Sequence, residues 1–343
     1  MDLLPISHIK RIAQETRVEA RVHGQVESIN RKDTREGKPY FELVLTDGDG
    51  KLNLKAWNDS PAFAFCERAG AGQFIEVTGD FGVSGNFGVE ARRWTLRELK
   101  PEERDAVLGG TSATREKQAV DYADIERLVG SIQDPRLAAL TQAFLSEYGE
   151  RFRRAAAARH NHHARRGGLV EHVAQMMRSA VAIAAVYPYL NRDLMITGVL
   201  FHDSGKLWEN QLPADGFIMP YTEPGELLGH ITIGIELANN LWRRIAASEE
   251  WKHWIALEPA NEDVRLHLLH LIASHHGELQ FGSPVVPKTP EAWALHYVDN
   301  LDAKLEMMAV GYATSKQIAP RIQERMWPLA GHFVHPLPPF QSE

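Results

Sequence analysis

Residues 200–210 read LFHDSGKLWEN, where two strongly apolar residues are followed at once by a histidine and an aspartate. His202 and Asp203 are a poor continuation of a core helix, because each buried polar group costs free energy unless a partner satisfies it. A divalent metal ion would satisfy both side chains. The stretch therefore predicts a metal-binding position at the end of an apolar helix.

The chain around this stretch, from about Asp121 onward, has the apolar spacing of helices. Apolar residues recur at i, i+3 and i+4 in YADIERLVGSI, PRLAALTQAFLSEYGERF, GLVEHVAQMMRSAVAIAAVY, RDLMITGVLFHD, GHITIGIELANNLWRRIA, DVRLHLLHLIASHH and EAWALHYVDNLDAKLEMMAV. Such spacing is typical of amphipathic helices that pack as a bundle. We therefore expect an all-helical domain over residues 121–318 and an irregular tail over residues 319–343.

Polar residues interrupt the apolar faces of five of these predicted helices. They are His172, His202, Asp203, His230, His275, His276 and Asp299. A single histidine in a helix is more often a hydrogen-bonded core residue than a ligand, but that reading does not account for the whole set. Imidazoles and carboxylates on facing helices suit Mn, Fe, Co, Ni or Zn. The set therefore predicts a metal centre.

Upstream, from about Arg17 to Leu99, the apolar pattern has a period of two, which is typical of strands. The strand candidates are VEARVHGQVESI, PYFELVLTDGDGKLNLKAWND, QFIEVTGDF and NFGVEARRWTLREL. TDGDGK at 46–51 favours a hairpin, because Asp-Gly supplies the positive φ of tight turns. This pattern predicts a five-stranded OB-like β-barrel over residues 1–100, although an SH3-like barrel would give nearly the same pattern.

Between these regions, residues 101–120 are polar and aperiodic, which predicts a linker. The fold class is therefore α+β with several domains: a five-stranded β-barrel followed by an all-α bundle. The composition, with 44% apolar and 24% charged residues in 343, is typical of a soluble globular protein. A single cysteine, no signal-peptide pattern and no apolar run of about 18 residues favour a cytoplasmic protein without a membrane segment.

The net charge of -7 lies entirely beyond residue 100, since residues 1–100 carry 15 basic and 15 acidic residues. An acidic region repels polyanions unless metal ions or a basic patch reverse the field. One basic segment exists at 151–166, RFRRAAAARHNHHARR, with six arginines and no acid. It is either a phosphate-binding patch or a solvated helix face.

The order H…HD…H…HH…D resembles the HD-domain phosphohydrolases. Longer segments are similar to one subgroup, the YhaM-type 3′-5′ exoribonucleases: NHH-x4-GL at 161–169, HDSGK at 202–206, YTEPGELLGHI at 221–231, SHHGELQFGSP at 274–284 and LHYVDNLDAK at 295–304. The resemblance covers about residues 15–315 and includes the order of the two domains. Ser204 is a departure, because this position often holds an aliphatic residue, and we expect no consequence for metal binding.

The resemblance implies two divalent ions, with Mn²⁺ as the first choice. One ion would be held by His172, His202, Asp203 and Asp299, and Asp203 would bridge to a second ion bound by His230 and by His275 or His276. Two ions about 3.5–4 Å apart can activate water and neutralise an attacked phosphodiester. Asp203 and Lys206 are the catalytic candidates. Lys206 would contact phosphate oxygens, or else would only stabilise a helix C-terminus.

The substrate-binding candidates fall into two groups. By resemblance, Asn161, His162, His163 and Arg165 would contact substrate or support the ligands, with a polar loop as the alternative. In the barrel, Tyr40, Lys55, Trp57, Phe87 and Arg92 are candidates for stacking on bases and contacting phosphates. Alternation predicts that Phe41, Leu43 and Leu45 point inward and Tyr40 outward. Asp302 and Lys304 could equally be a surface pair.

These features predict a metal-dependent 3′-5′ exoribonuclease acting on single-stranded RNA, with single-stranded DNA and homo-oligomer formation left open. One alternative is a nucleotidase or cyclic-nucleotide phosphodiesterase that uses the same site on small substrates. Another is a non-catalytic single-strand-binding protein. The barrel favours a polymeric substrate, and the complete ligand set disfavours a non-catalytic protein.

Overall fold

The computed structural model describes residues 1–48, 50–83, 88–158, 163, 165–211 and 216–340, without the side chains of residues 313 and 314. The chain forms two compact units. The strand unit comprises residues 1–111, 215–218 and 305–343, and the helical unit comprises residues 112–214 and 219–304. All predicted metal ligands belong to the helical unit.

The strand unit contains β1 (Asp2–Leu3), α1 (Ile6–Ile12), β2 (Val18–Asp33), β3 (Pro39–Thr46), β4 (Lys51–Trp57), α2 (Pro61–Cys66), β5 (Phe74–Val83), β6 (Val89–Glu98) and α3 (Pro101–Leu108). The main strands are antiparallel in the order β4-β3-β2-β5-β6, and β1 pairs in parallel with β2. Phe41, Leu43 and Leu45 of β3 are buried, as the period of two predicts. The sheet curls so that the Trp94 indole N–H of β6 donates to the Lys55 carbonyl of β4 at 3.2 Å.

The strand unit differs from the prediction in two respects. The sheet has six strands rather than five, because the two-residue β1 pairs with the central strand β2. The short helices α1 and α2 were not predicted, since six or seven residues give too little periodicity to separate a helix from a loop. The predicted hairpin at 46–51 does connect β3 to β4, where Gly48 has a φ of 90° and the Gly50 N–H donates to the Asp47 carboxylate at 2.8 Å.

The helical unit contains α4 (Ser112–Val129), α5 (Pro135–Phe152), α6 (Gly168–Val186), α7 (Arg192–Phe201), α8 (Lys206–Glu209), α9 (Glu223–Ala246), α10 (Asn261–Ser274) and residues 290–304 of α11 (Pro290–Thr314), whose last residues belong to the strand unit. Two 3₁₀ turns, Glu250–His253 and Leu279–Phe281, flank α10. The apolar faces of these helices form one continuous core, as the i, i+3, i+4 spacing predicts. By length and composition α6 could cross a membrane, but 56% of its apolar window is buried, as in the core helix of a bundle.

Regular elements occupy both segments that the sequence predicts as irregular. Residues 101–120 form α3 and the first half of α4. Pro101 begins α3, and the Glu103 carboxylate caps it by accepting from the Lys100 N–H at 2.9 Å. No residue of α3 is buried, so the segment has no apolar period to read. The tail contains a small sheet of β7 (Gln317–Ala319), β8 (Ile322–Gln323) and β9 (Phe333–Val334), strands too short to give a pattern.

Candidate metal centre

The seven predicted ligands converge within the helical unit, most of them at or next to helix ends. His172 lies near the start of α6, His202 and Asp203 directly follow α7, His230 follows a break in α9, His275 and His276 directly follow α10, and Asp299 lies in α11. Helix ends leave backbone groups unpaired and allow a sharp change of direction. This lets side chains from five helices meet at one place.

Two glycines bring His230 close to Asp203. A Cβ atom at Gly205 would lie 1.8 Å from the His230 carbonyl oxygen, so only glycine allows α9 to pack this closely against the HDSGK segment. Gly229 has φ of 70° and ψ of 161°, which interrupts α9. His230 therefore begins a new helical segment at the site.

Asp203 lies between two groups of imidazoles. Its Oδ2 atom is 3.4 Å from His202 Nε2 and 3.9 Å from His172 Nε2. Its Oδ1 atom is 3.4 Å from His230 Nε2 and 3.7 Å from His275 Nε2. One carboxylate therefore presents a separate oxygen to each group.

We call these two groups of side chains the first and the second subsite. The first subsite consists of His172, His202, Asp203 and Asp299, and the second consists of Asp203, His230, His275 and His276. In the first, His172 Nε2 is 3.3 Å from both His202 Nε2 and Asp299 Oδ1. In the second, a nitrogen from each histidine lies within 4.8 Å of the others. These are the two ligand sets that the resemblance implies.

Buried atoms without hydrogen bonds test whether the residues fit metal ions. Among the described side chains, Asp203 Oδ1, His230 Nε2 and His275 Nε2 are buried and lack a hydrogen-bond partner. An unpaired buried polar atom costs about 1–3 kcal/mol, so three in one place require an explanation. A divalent cation would satisfy all three, and the mixed nitrogen and oxygen donors suit the first-row metals. The residues therefore fit divalent ions.

The Nδ1 atom of each ligand imidazole lies next to an oxygen atom. The Nδ1–H groups of His202 and His275 donate to the Val199 and Ile272 carbonyls at 2.8 Å, and that of His276 donates to the Phe281 carbonyl at 2.6 Å. The Nδ1 atoms of His172 and His230 face carboxylates instead, Asp302 Oδ2 at 2.7 Å and Glu209 Oε1 at 3.1 Å. This pattern assigns the proton to Nδ1 and leaves Nε2 available for a metal.

The electrostatics favour a cation between these side chains. Burial alone would lower the pKa of His172, but hydrogen bonds to Asp299 and Asp302 outweigh it and raise this pKa to about 9. Burial holds the pKa of His275 well below its usual range, and the neighbouring His276 and His202 lower it further. Without a metal, a proton on His172 balances the acids, so metal binding should release protons.

Lys206 is the cation next to Asp203. Its ammonium lies 2.7 Å from Asp203 Oδ2 and also donates to the Ala157 carbonyl. Burial would lower the pKa of Lys206, but Asp203 raises it, so the side chain is charged at neutral pH. Burial would raise the pKa of Asp203, whereas Lys206 and His202 hold it well below its usual range.

Two carboxylates at the site were not predicted. Asp302, which the sequence left open as a surface residue, contacts both His172 and His163, while Lys304 is exposed. Asp302 follows Asp299 by three residues, a spacing that places both side chains on the same helix face, so the sequence could have indicated its position at the site. Glu209 gives no sequence signal, because its partner His230 is 21 residues away.

The other helical candidates also have intramolecular partners. His163 is buried, and its Nε2 atom lies 3.0 Å from Asp302 Oδ2. Arg165 donates from Nε to the buried Glu171 carboxylate at 3.0 Å. Asn161 and His162 lie outside the described residues. His163 therefore supports a ligand through Asp302, and Arg165 takes part in a structural ion pair.

The candidates in the strand unit lie mainly on the face of β3 and β4 opposite their buried residues. Tyr40 and Trp57 are directly paired in the ladder, with ring centroids 4.9 Å apart, and Trp57 is 45% exposed. The Lys55 ammonium forms an ion pair with Glu90 at 2.8 Å. Arg92 is exposed on β6, and Phe87 lies outside the described residues. The Tyr40–Trp57 pair is therefore an aromatic surface open to solvent.

An HD pair at the end of an apolar helix, completed by histidines and an aspartate from other helices, defines an HD-domain protein. The HD domain family matches residues 169–304 of this chain. Two relatives extend the similarity over most of the chain. The 3′-5′ exoribonuclease YhaM of Bacillus pumilus (strain SAFR-032) is 33% identical over 295 residues, which cover 84% of this chain and 85% of that protein.

The 3′-5′ exoribonuclease YhaM of Geobacillus sp. (strain WCH70) is 31% identical over 284 residues, covering 82% of each chain. With the order of the units and the HD residues described above, this similarity establishes the family. The chain belongs to the YhaM family of HD-domain enzymes.

Proposed function

We propose that this chain is a metal-dependent 3′-5′ exoribonuclease that hydrolyses single-stranded RNA to nucleoside 5′-monophosphates. The observation that carries the proposal is Asp203, whose two oxygens face separate groups of imidazoles in a chain of the YhaM family. The names of both relatives support the direction and the RNA substrate.

The helical unit supplies the chemistry. Divalent ions held in the two subsites, Mn²⁺ as the first choice, would activate water and neutralise charge on the scissile phosphodiester. Asp203 presents one oxygen to each of the two ligand groups. Lys206, whose side chain is 13% exposed, places a permanent positive charge where the phosphate oxygens would lie.

The strand unit supplies affinity for a polymer. The exposed Tyr40–Trp57 pair would stack on bases, and each stacked base contributes about 1–3 kcal/mol in proteins that bind single strands. Arg92 adds a positive charge at an exposed position of β6 in the same unit. A mononucleotide hydrolase would have no use for such a surface.

The products of the reaction test the proposal. A 5′-labelled single-stranded RNA, incubated with the full chain and Mn²⁺, should give a descending ladder. The same RNA labelled at its 3′-terminal phosphodiester should release labelled nucleoside 5′-monophosphate from the first turnover. Replacing Mn²⁺ by Fe²⁺, Co²⁺, Ni²⁺ or Zn²⁺ identifies the working metal, and a parallel DNA substrate measures the sugar preference.

Other products would select another function. Orthophosphate or hydrolysis of cyclic nucleotides alone would indicate a nucleotidase or cyclic-nucleotide phosphodiesterase. Fragments from a circular RNA would indicate an endonuclease. Binding without hydrolysis under every metal would indicate a single-strand-binding protein.

A further inference from the structure

Two carboxylates lie behind the ligands rather than among them. Asp302 Oδ2 is 2.7 Å from His172 Nδ1, and Glu209 Oε1 is 3.1 Å from His230 Nδ1. Nδ1 and Nε2 are on opposite edges of an imidazole ring, and the Nε2 atoms face Asp203. Each carboxylate therefore contacts a ligand histidine at the ring nitrogen that does not face Asp203.

Each subsite has one histidine whose Nδ1 atom faces a carboxylate, and its remaining histidines face backbone carbonyls. His202, His275 and His276 use backbone carbonyls as their Nδ1 partners. Among the described ligands, only His172 in the first subsite and His230 in the second have a carboxylate next to Nδ1. A carboxylate partner makes an imidazole a stronger donor to a metal than a carbonyl partner does, because it stabilises the positive charge that the ring gains.

Both carboxylates are held in place. The Asp302 side chain is 13% exposed and also contacts His163 Nε2 at 3.0 Å. The backbone of Glu209 is fixed because its carbonyl accepts from the Thr222 N–H at 3.0 Å. A Cβ atom at Gly225 would lie 2.3 Å from that carbonyl, so α9 packs closely on this turn. Fixed partners restrict the rotation of the two ligand rings.

We propose that Asp302 and Glu209 are positioning residues, one for each subsite, and that each sets the affinity of its own subsite for a divalent ion. Asp302 acts through His172 on the first subsite, and Glu209 acts through His230 on the second. The inference rests on the two-metal site of the proposed function but not on its RNA substrate.

Counting bound ions tests the assignment. The full chain is dialysed against increasing Mn²⁺, and the ions bound per chain are measured by atomic emission. Wild type should bind two ions. In Asp302→Ala, the Mn²⁺ concentration that half-fills one site should rise by about 10–100-fold, and that for the other site should change less than about threefold. In Glu209→Ala, the second site should be weakened by about 10–100-fold and the first should change less than about threefold. The double variant should bind both ions weakly.

Milder variants separate positioning from folding. Asp302→Asn and Glu209→Gln keep an oxygen that can accept from Nδ1–H, so each should recover part of the lost affinity. These variants carry the test if an alanine variant does not fold. Glu236→Gln is the matched control, because it removes one charge from an exposed position of α9 and should change neither ion.

Several results would overturn the proposal. These are a wild-type chain that binds fewer than two ions, a double variant that keeps one tight ion, an alanine variant that weakens both ions equally, or a control with the same loss as the alanine variants. An absence of RNA hydrolysis by wild type would reject the proposed function while leaving the ion counts readable.

Discussion

Asp203 is the residue on which the candidate site depends most. Its side chain is 4% exposed and is surrounded by histidines from α6, α7, α9 and α10 and by the Lys206 ammonium. A carboxylate placed so deeply is stable only when its charge is balanced. Ligand imidazoles become neutral when they bind a metal, so the ions themselves would supply the compensating charge.

Replacing Asp203 by asparagine should therefore abolish hydrolysis. Asp203→Asn keeps the shape of the side chain but removes the charge and the bridging pair of oxygens. We expect turnover on RNA below one-tenth of wild type, with the dissociation constant for RNA changed less than about threefold, because the RNA-stacking candidates lie in another unit.

Asp263→Asn is the control for this variant, since Asp263 is exposed on α10 and contacts no ligand among the described residues. Turnover is measured with Mn²⁺ in excess, and RNA binding is measured without metal by fluorescence anisotropy. Turnover above one-tenth of wild type in Asp203→Asn would contradict the bridging role.

At the scale of elements, a buried ion-pair cluster fixes α4 against α6 next to the site. Glu171, which is fully buried, accepts from Lys117 Nζ at 3.1 Å, Gln118 Nε2 at 2.9 Å and Arg165 Nε at 3.0 Å. It immediately precedes His172 in α6. The orientation of this ligand helix therefore depends on a charge that can be titrated.

This charge predicts a loss of stability in acid. Burial would raise the pKa of Glu171, but the hydrogen bond and charge of Arg165 outweigh it and lower the pKa to about 2, from 4.5 for an ordinary glutamate. A lowered pKa contributes stability above about pH 4.5, and that contribution is lost as the pH falls towards 2. The difference corresponds to about 3 kcal/mol.

Urea unfolding, followed by helical circular dichroism, checks this prediction. Glu171→Gln should lower the free energy of unfolding by about 3 kcal/mol at pH 7, and its difference from wild type should shrink between pH 4.5 and pH 2.5. Glu116→Gln, on the exposed side of α4, should stay within about 0.5 kcal/mol of wild type. A difference for Glu171→Gln that does not change with pH would contradict the assignment.

At the scale of the molecule, the two units have different proposed tasks. The strand unit includes residues 305–343 as well as the first 111 residues, so a deletion of residues 1–100 would remove only part of a compact unit. Point substitutions on its surface are the sharper test of its role. The Tyr40–Trp57 pair is suited to this, because Trp57 is 45% exposed and its loss leaves the core intact.

Loss of the aromatic pair should weaken the reaction on long RNA more than the reaction on a dinucleotide. Tyr40→Ala and Trp57→Ala should each raise the KM for a long single-stranded RNA about fivefold or more, since a stacked base contributes about 1–3 kcal/mol. Hydrolysis of a dinucleotide is proposed to need only the helical unit, so its kcat/KM should change less than about twofold.

Trp327→Ala is the matched control, because Trp327 is 74% exposed elsewhere in the strand unit. It should behave like wild type on both substrates. Equal effects of Trp57→Ala on the long RNA and the dinucleotide would mean that the pair serves stability rather than RNA binding.

The sequence alone determined the elements with a regular apolar period. The segment PRLAALTQAFLSEYGERF predicts a helix, and α5 spans the same residues, Pro135–Phe152. The sequence also identified the ligand candidates, because polar residues on apolar helix faces are recognisable without knowledge of their partners. The residues 101–120 were misread because a helix with no buried face shows no period.

Only the tertiary structure decided which groups act together. Asp302 and His172 are 130 residues apart, yet the two side chains are 2.7 Å from each other. The two oxygens of Asp203 face different subsites, and this too results from the packing of α6, α7, α9 and α10 rather than from the local sequence. The physical reason is that periodicity is a local property of the chain, whereas the partner of a buried charge is set by distance in space and by the cost of leaving that charge unpaired.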